Sequence, residues 1–225
     1  MRGRTGIIFT VVAILVVSAV VSVALIRGGT SSEPVAASTP SATAPSDVQI
    51  VRPNSHVLGD PADGTVTLVE FLDFECEACA AAFPFVEGLR ETYAGKVRFV
   101  MRYFPLPGHA NAVNAALAVE AAAQQGRLED MYRILYQAQA EWGEKQESQA
   151  PLFRGIAEEL GLDMDAYDAA IADPATAARV ELDRRDAESL GLPGTPSFFL
   201  NGEPLALSSA EEVTSAIDAA LSSAQ

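Results

Sequence analysis

The chain has 225 residues, 49% of them apolar and 20% charged, and this composition excludes a wholly disordered protein. Thirty acidic residues oppose 15 basic ones, so the net charge of −15 argues against nucleic acid or anionic lipid as an electrostatic partner. The two cysteines and two histidines exclude a disulfide-rich scaffold. A four-ligand metal site would need all four of these side chains.

The N-terminal region contains an uncharged, mostly apolar stretch at residues 7–26. A helix of that length spans roughly 30 Å, enough to cross a bilayer. Arg2 and Arg4 precede the stretch and Arg27 follows it, so the positive-inside rule predicts that residues 1–6 are cytoplasmic. A cleaved signal peptide is the alternative, although its apolar core usually runs about 7 to 15 residues. The sequence thus predicts a single-pass anchor in the cell membrane and an extracytoplasmic remainder.

Residues 27–47 have a biased composition. Within residues 28–46, 17 of 19 are Gly, Ser, Thr, Pro or Ala, which favours a flexible linker. We therefore expect one folded domain over residues 48–225.

The first part of that domain predicts a βαβ unit. Residues 65–74 are rich in β-branched and aromatic side chains, as in a buried strand, and a helical segment comes next and ends near Gly95. Residues 96–104 alternate apolar and basic side chains, which predicts a half-exposed strand. Strand, helix and strand in this order form a right-handed unit.

The rest of the domain predicts a helical insertion and a second β unit. Residues 109–190 have helical spacing with almost no strand signal, which suggests four or five helices. Strand character then returns in PSFFLNG, where Asn201 and Gly202 mark a hairpin, and Ser209 with Glu212 begins a last helix. The predicted class is α/β, with the order β-α-β, helical insert, β-β-α.

Cys76 and Cys79 form a C-x-x-C motif where a strand ends and a helix begins. Helix N-terminal amides favour a thiolate, so Cys76 is expected to attack and Cys79 to resolve the mixed disulfide. The same spacing occurs in half of a zinc site, for which His56 and His109 are the other available ligands. An inert disulfide is a further alternative, although so small a loop contributes little stability.

Two further positions are candidate site residues. Glu70 lies six residues before Cys76 in an otherwise apolar strand, where a buried carboxylate would have a raised pKa and could move the proton of Cys79. An exposed glutamate on an edge strand explains Glu70 equally well. Thr195 and Pro196 introduce the second β unit, and an X-Pro bond can be cis where the fold demands it.

Three segments together resemble the thioredoxin-like thiol oxidoreductases of the DsbA type, in particular membrane-tethered exported ones: FLDFECEACAAAFP, FPLPGH and GLPGTPSFFLNG. The resemblance covers about residues 48–221 and implies a thioredoxin-like fold with a helical insert. It implies that Pro196 is cis beside the cysteine pair, that Thr195 offers main-chain groups to an extended substrate, and that Glu70 lies beneath Cys79. It also implies exchange with unfolded or partly folded exported proteins and reoxidation by a membrane partner of the DsbB or vitamin K epoxide reductase type. We expect no cofactor, and the small number of available ligands argues against a metal.

The sequence departs from this family between the cysteines. Strongly oxidising members have proline and histidine there, whereas this chain has Glu77 and Ala78. Glu75 and Glu77 flank Cys76, and since nearby anions raise a thiol pKa, we expect a weaker oxidant. His109 could equally be a capping or surface residue, and we do not assign it to the site.

The leading hypothesis is an exported thiol:disulfide oxidoreductase that donates the Cys76–Cys79 disulfide to folding proteins. A disulfide reductase or isomerase is an alternative that uses the same thiol–disulfide exchange to break or rearrange disulfides in its substrates. A tethered peptide-binding or chaperone module with a structural cysteine pair is the alternative outside the enzymes.

Overall fold

A computed structural model describes residues 48–59, 66–206 and 209–224. The predicted cytoplasmic end, membrane segment and linker, residues 1–47, lie outside the described residues. No helix within the described ranges is both long and apolar enough to span a membrane. The elements in chain order are β1 (His56–Leu58), β2 (Val66–Leu72), α1 (Glu77–Thr92), β3 (Val97–Tyr103), α2 (Ala112–Ala123), α3 (Leu128–Gln137), α4 (Gln139–Trp142), α5 (Ala150–Glu159), α6 (Met164–Ala172), α7 (Pro174–Ser189), β4 (Ser197–Leu200), β5 (Glu203–Leu205) and α8 (Ala210–Ser223).

The strands form one mixed sheet in the order β1-β3-β2-β4-β5. The central strands β2 and β3 are parallel, as α1 between them requires, while β1, β4 and β5 each pair antiparallel with a neighbour. The predicted α/β class with a βαβ unit and a ββα unit around a helical insert is confirmed. The edge strand β1 was not foreseen, because three residues are too few to show a period.

The prediction that residues 96–104 form a half-exposed strand is wrong. Helix α7 covers the second face of the sheet, and Arg102 of β3 is fully buried against it. Its guanidinium donates to Asp183 at 2.6 Å and to Asp186, and it also binds the main-chain oxygens of Gln49 at 2.8 Å and Ile50 at 2.7 Å. Arg102 therefore does not mark a solvent face.

The insert contains six helices between residues 112 and 189, more than the four or five expected. The difference arises at α3 and α4, which only Ala138 separates, so the sequence shows one helical pattern where the chain forms two elements. Trp142 and Phe153 pack edge to face at 4.8 Å between ring centroids within this insert.

The local signals of the second β unit are confirmed. Asn201 and Gly202 have φ values of 51° and 88°, the left-handed conformation that a two-residue hairpin needs between β4 and β5. The hydroxyl of Ser209 accepts a hydrogen bond from the Glu212 amide at 3.1 Å and so caps α8.

Candidate active site

Cys76 is the N-cap residue of α1, at the carboxyl end of the central strand β2. Its backbone is extended, and its amide donates to the main-chain oxygen of Asp73 at 3.2 Å. Cys79 lies in the first turn of the helix and is 1% exposed, against 8% for Cys76. Both are thiols in this structure, and Cys76 is the more accessible of the two.

The environment of Cys76 favours its thiolate. A hydrogen bond from the Cys79 thiol lowers the pKa of Cys76 most strongly, the backbone amides of Ala78 and Cys79 add to the effect, and burial opposes it, so the pKa falls to about 5. These amides belong to the first turn of α1, where the helix dipole is positive. Cys76 is therefore ionised at neutral pH.

The expectation that flanking glutamates raise the pKa of Cys76 is thus wrong. Glu75 is buried, and its carboxylate accepts hydrogen bonds from the amides of Asn111 at 2.6 Å and Glu144 at 3.1 Å. These hydrogen bonds tie the Glu75 side chain to the insert. They are tertiary contacts that adjacency in sequence did not show.

Cys79 has the opposite tendency. Burial raises its pKa, and the hydrogen bond to Cys76 and the charge of Glu70 raise it further. The pair is consequently divided into an ionised outer sulfur and a protonated inner one, which is the asymmetry that an attacking and a resolving thiol require.

Glu70 is buried in the central strand β2, so its interpretation as an exposed residue on an edge strand is wrong. Desolvation, followed by the charges of Glu87 and Cys76, raises its pKa to about 8. Glu70 lines a small cavity whose other lining residues are apolar, namely Leu58, Leu68, Val86, Phe99, Val100 and Phe198. A carboxyl group with this pKa can both donate and accept a proton near neutral pH.

The loop before β4 completes the surroundings of the cysteines. The Thr195–Pro196 peptide bond is cis, as the family resemblance implied. The main-chain oxygen of Thr195 lies 3.4 Å from Cys76 Sγ. Pro196 lines a groove with residues of the preceding loop and of β4 and β5. The structure therefore brings the five predicted site residues to one region; their roles stay predictions.

His109 and Asp73 also belong to this region, and the sequence reasoning left both out. His109 Nδ1 lies 2.6 Å from Asp73 Oδ2, and Asp73 also accepts a hydrogen bond from the Leu106 amide at 2.8 Å. The available signal was positional: Asp73 follows β2 and His109 follows β3, and the carboxyl ends of parallel strands meet at one edge.

His56 lies elsewhere, with its Nε2 at 2.6 Å from Glu120 Oε2. The two histidines thus have separate carboxylate partners. Among the described residues, no group of three or more His, Cys, Asp or Glu side chains is arranged to hold a metal ion.

Comparison with known proteins decides the family. The sequence model described as thioredoxin matches residues 52–219. This chain belongs to the thioredoxin family. A thioredoxin-like oxidoreductase from Silicibacter pomeroyi DSS-3 is 31% identical, with a TM-score of 0.65 over 79% of this chain and 98% of that protein.

The α-DsbA1 structure of Wolbachia pipientis, in a variant with two cysteines replaced by alanine, has a TM-score of 0.69 at 24% identity and covers 79% of this chain and 95% of its own. The predicted resemblance to thioredoxin-fold thiol:disulfide oxidoreductases of DsbA-like architecture is confirmed. A curated relative, Na(+)/H(+) antiporter NhaA 3 of Salinispora tropica, is 41% identical over 148 residues, which are 65% of this chain and 22% of that protein. The chain spans about a quarter of the length of such relatives, and their names carry no function to it.

Proposed function

We propose that this thioredoxin-family protein is an exported oxidant that transfers the Cys76–Cys79 disulfide to unfolded or partly folded proteins of the cell envelope. The observation that carries the proposal is the division of the pair, in which Cys76 has a pKa of about 5 while burial keeps Cys79 protonated. A stabilised thiolate stabilises the reduced form of the pair, and this makes its disulfide a stronger oxidant.

The exchange proceeds in two displacements. A substrate thiolate attacks Cys76 Sγ, the Cys76–Cys79 bond breaks, and the sulfur of Cys79 leaves with the electron pair. Glu70, protonated below about pH 8, is placed to supply the proton that Cys79 requires. A second substrate thiolate then attacks the substrate sulfur and releases Cys76 as a thiolate. Two electrons pass from substrate to enzyme, and the substrate gains one disulfide.

The low pKa of Cys76 matters most in the second displacement. A thiolate with a low pKa leaves faster, so the mixed disulfide resolves toward oxidised substrate. Pro196 lines a groove together with apolar side chains of β4 and of the loop before it, such as Phe199 and Leu192, and the neighbouring Thr195 oxygen lies 3.4 Å from Cys76 Sγ. Such a surface suits an extended, incompletely folded chain.

The cellular setting of the proposal comes from the sequence. The apolar stretch at residues 7–26 and the basic residues before it support a single-pass anchor with the redox domain outside the cytoplasm. An oxidant of this kind is reduced in every turnover, so it needs an electron acceptor. A membrane partner of the DsbB or vitamin K epoxide reductase type would fill that role.

The deciding experiment is the reduction potential of the full-length chain in detergent, read by alkylation and mass shift in graded glutathione buffers. Thioredoxin has a thiol pKa of about 7 and a potential of about −270 mV, and DsbA has about 3.5 and −120 mV, so we expect a value between them, about −180 mV. A value at or below about −270 mV would contradict the oxidant role and favour a reductase.

The control for that experiment is Cys76→Ser, which removes the attacking sulfur and should abolish exchange. No exchange by the unaltered chain would instead favour a peptide-binding module with a structural cysteine pair.

A further inference from the structure

The loops after β2 and β3 are joined by one ionic contact beside the cysteines. His109 Nδ1 lies 2.6 Å from Asp73 Oδ2, and the Asp73 side chain is fully buried while that of His109 is 29% exposed. The contact thus connects a buried anion to an imidazole at the surface of the site.

Asp73 holds both His109 and the cysteine loop. Its carboxylate accepts hydrogen bonds from the Glu75 amide and the Leu106 amide, each at 2.8 Å, and its main-chain oxygen accepts from the Cys76 amide at 3.2 Å. The Asn111 amide donates to Glu75 at 2.6 Å and fastens the second loop at its other end. His109 is therefore fixed relative to Cys76 by hydrogen bonds on both sides.

The surroundings of His109 shift its ring toward the charged form. Burial lowers the pKa of His109, but the hydrogen bond and charge of Asp73, together with the charges of Cys76 and Glu75, outweigh it, and the net shift is upward. The interaction with Cys76 acts in both directions, since a thiolate that favours an imidazolium is favoured by it to the same extent.

The other titratable groups near the sulfurs do not supply a cation. Glu70 and Asp73 are buried carboxyl groups, and Glu75 is bound by backbone amides of the insert. Cys79 remains a thiol. Of these groups around Cys76, His109 is the one that can carry a positive charge.

We propose that His109, positioned by Asp73, is the cationic partner of the Cys76 thiolate and makes the Cys76–Cys79 disulfide more oxidising. The loop after β3 thereby supplies the positive charge that Glu77 and Ala78 do not provide between the cysteines. The mechanism is simple: reduction leaves a negative charge on Cys76 and a proton on Cys79, and a nearby imidazolium stabilises that product. The inference deepens the proposed function and rests on it.

The first test is a proton NMR titration of the histidine rings in the full-length chain, performed on the dithiol and on the disulfide form. The chain has two histidines, so two sets of ring signals are expected. The set that is missing from the spectrum of His109→Gln belongs to His109. The pKa of His109 should fall when the disulfide forms, because the negative charge on Cys76 disappears. The ring signal of His56, whose Nε2 lies 2.6 Å from Glu120, serves as the internal reference in both forms. Equal behaviour of His109 in the two forms would overturn the proposal.

The second test compares His109→Gln with the matched variant His56→Gln. Glutamine can still donate a hydrogen bond to Asp73, so the loop contact survives while the charge is lost. We expect His109→Gln to change the equilibrium constant with glutathione about tenfold, which corresponds to a potential about 30 mV more negative. The thiolate absorbance of Cys76 should also titrate at higher pH, whereas His56→Gln should match the unaltered chain in both measurements.

The two proposals fail separately. If the unaltered chain does not exchange with glutathione, the proposed function is wrong, while the thiolate titration of His109→Gln still decides the role of the imidazole. If exchange occurs and His109→Gln has the potential and the Cys76 pKa of the unaltered chain, His109 only fastens the loop. An unchanged unfolding midpoint in the variant shows that any shift in potential is electrostatic.

Discussion

Glu70 and Arg102 are both ionisable residues buried in the two central strands, yet their surroundings have opposite effects on their charge. They lie in adjacent register positions on opposite faces of the sheet, since Phe71 pairs with Arg102 and Glu70 pairs with Met101. Arg102 has two carboxylates and two main-chain oxygens around its guanidinium. Glu70 lines an otherwise apolar cavity, and no lysine or arginine among the described residues forms an ion pair with it.

The difference separates a buried charge that stabilises the fold, at Arg102, from a buried group that can exchange a proton, at Glu70. A buried charge that is fully hydrogen-bonded keeps its ionisation state and fixes the elements around it. A buried carboxyl group without a cation has a raised pKa, as Glu70 has, and exchanges its proton in the neutral range. The sheet therefore uses one face to hold the fold and the other to support the cysteines.

The largest effect on stability is expected from removing the buried charge of Arg102. Arg102→Leu leaves Asp183 and Asp186 buried with one cation fewer and frees the oxygens of Gln49 and Ile50. Loss of one member of such a buried set costs about 3–5 kcal/mol of unfolding free energy, measured by urea denaturation.

The control for Arg102→Leu is Arg154→Leu, because Arg154 and Asp168 form an exposed pair. Its denaturation midpoint should remain close to that of the unaltered chain. Equal losses in the two variants would show that the buried charge has no special role.

Replacing the ionisable carboxyl group of Glu70 by a neutral amide should stabilise the protein. The pKa of Glu70 is about 8 in the folded state against 4.5 for an unperturbed glutamate, so the folded state binds the proton more tightly and loses stability as pH rises from 4.5 to 8. Glu70→Gln removes this loss and should gain roughly 3 kcal/mol at pH 7. Unfolding of the reduced protein at pH 4.5 and pH 8 measures it; parallel pH profiles for both proteins would contradict the assignment.

The same variant should affect the rates of attack by Cys79 and by Cys76 differently. Glu70→Gln cannot take the proton of Cys79, so attack by Cys79 on a mixed disulfide should slow by about a hundredfold, the low end of general-base contributions. Attack by Cys76 on a chromogenic aryl disulfide should change little, because Cys76 is already ionised. Stopped-flow rates for the two steps provide the comparison, and equal slowing of both would remove Glu70 from the proton transfer.

The smallest effect concerns Glu87, whose charge raises the pKa of Glu70 after desolvation. Glu87→Gln removes this repulsion, so the pH midpoint of the Cys79 step should move to lower pH while the plateau rate is kept. Glu91→Gln, on the same helix and exposed, is the matched control. A midpoint shared by all three proteins would show that burial alone sets the pKa of Glu70.

Local patterns predicted much of this protein. The C-x-x-C motif at a strand-to-helix junction, the hairpin at Asn201 and the cap at Ser209 each depend on residues a few positions apart. The alternation that put Glu70 on the face of Leu68 and Leu72 is equally local. Such features follow from backbone geometry, and the sequence contains them without reference to the rest of the chain.

The features that the sequence did not predict depend on distant partners. Arg102 is neutralised by residues 81 and 84 positions away, so a basic residue that indicated exposure is in fact buried. His109 is held by Asp73 across 36 positions, and only the parallel pairing of β2 and β3 brings them together. In both cases the side chain has an unremarkable sequence neighbourhood, and its meaning comes from the element packed against it.

Ile50 combines two contacts with a consequence for how the enzyme meets its substrates. Arg102 donates a hydrogen bond to the main-chain oxygen of Ile50, and Ile50 lines the same groove as Pro196. Ile50, near the first of the described residues, is therefore held at the rim of that groove. Under the proposed anchoring, the length of residues 27–47 sets the effective concentration of the groove at the membrane surface. A shorter or longer linker would therefore change how often membrane-proximal substrates reach the groove, without changing the chemistry of the cysteines.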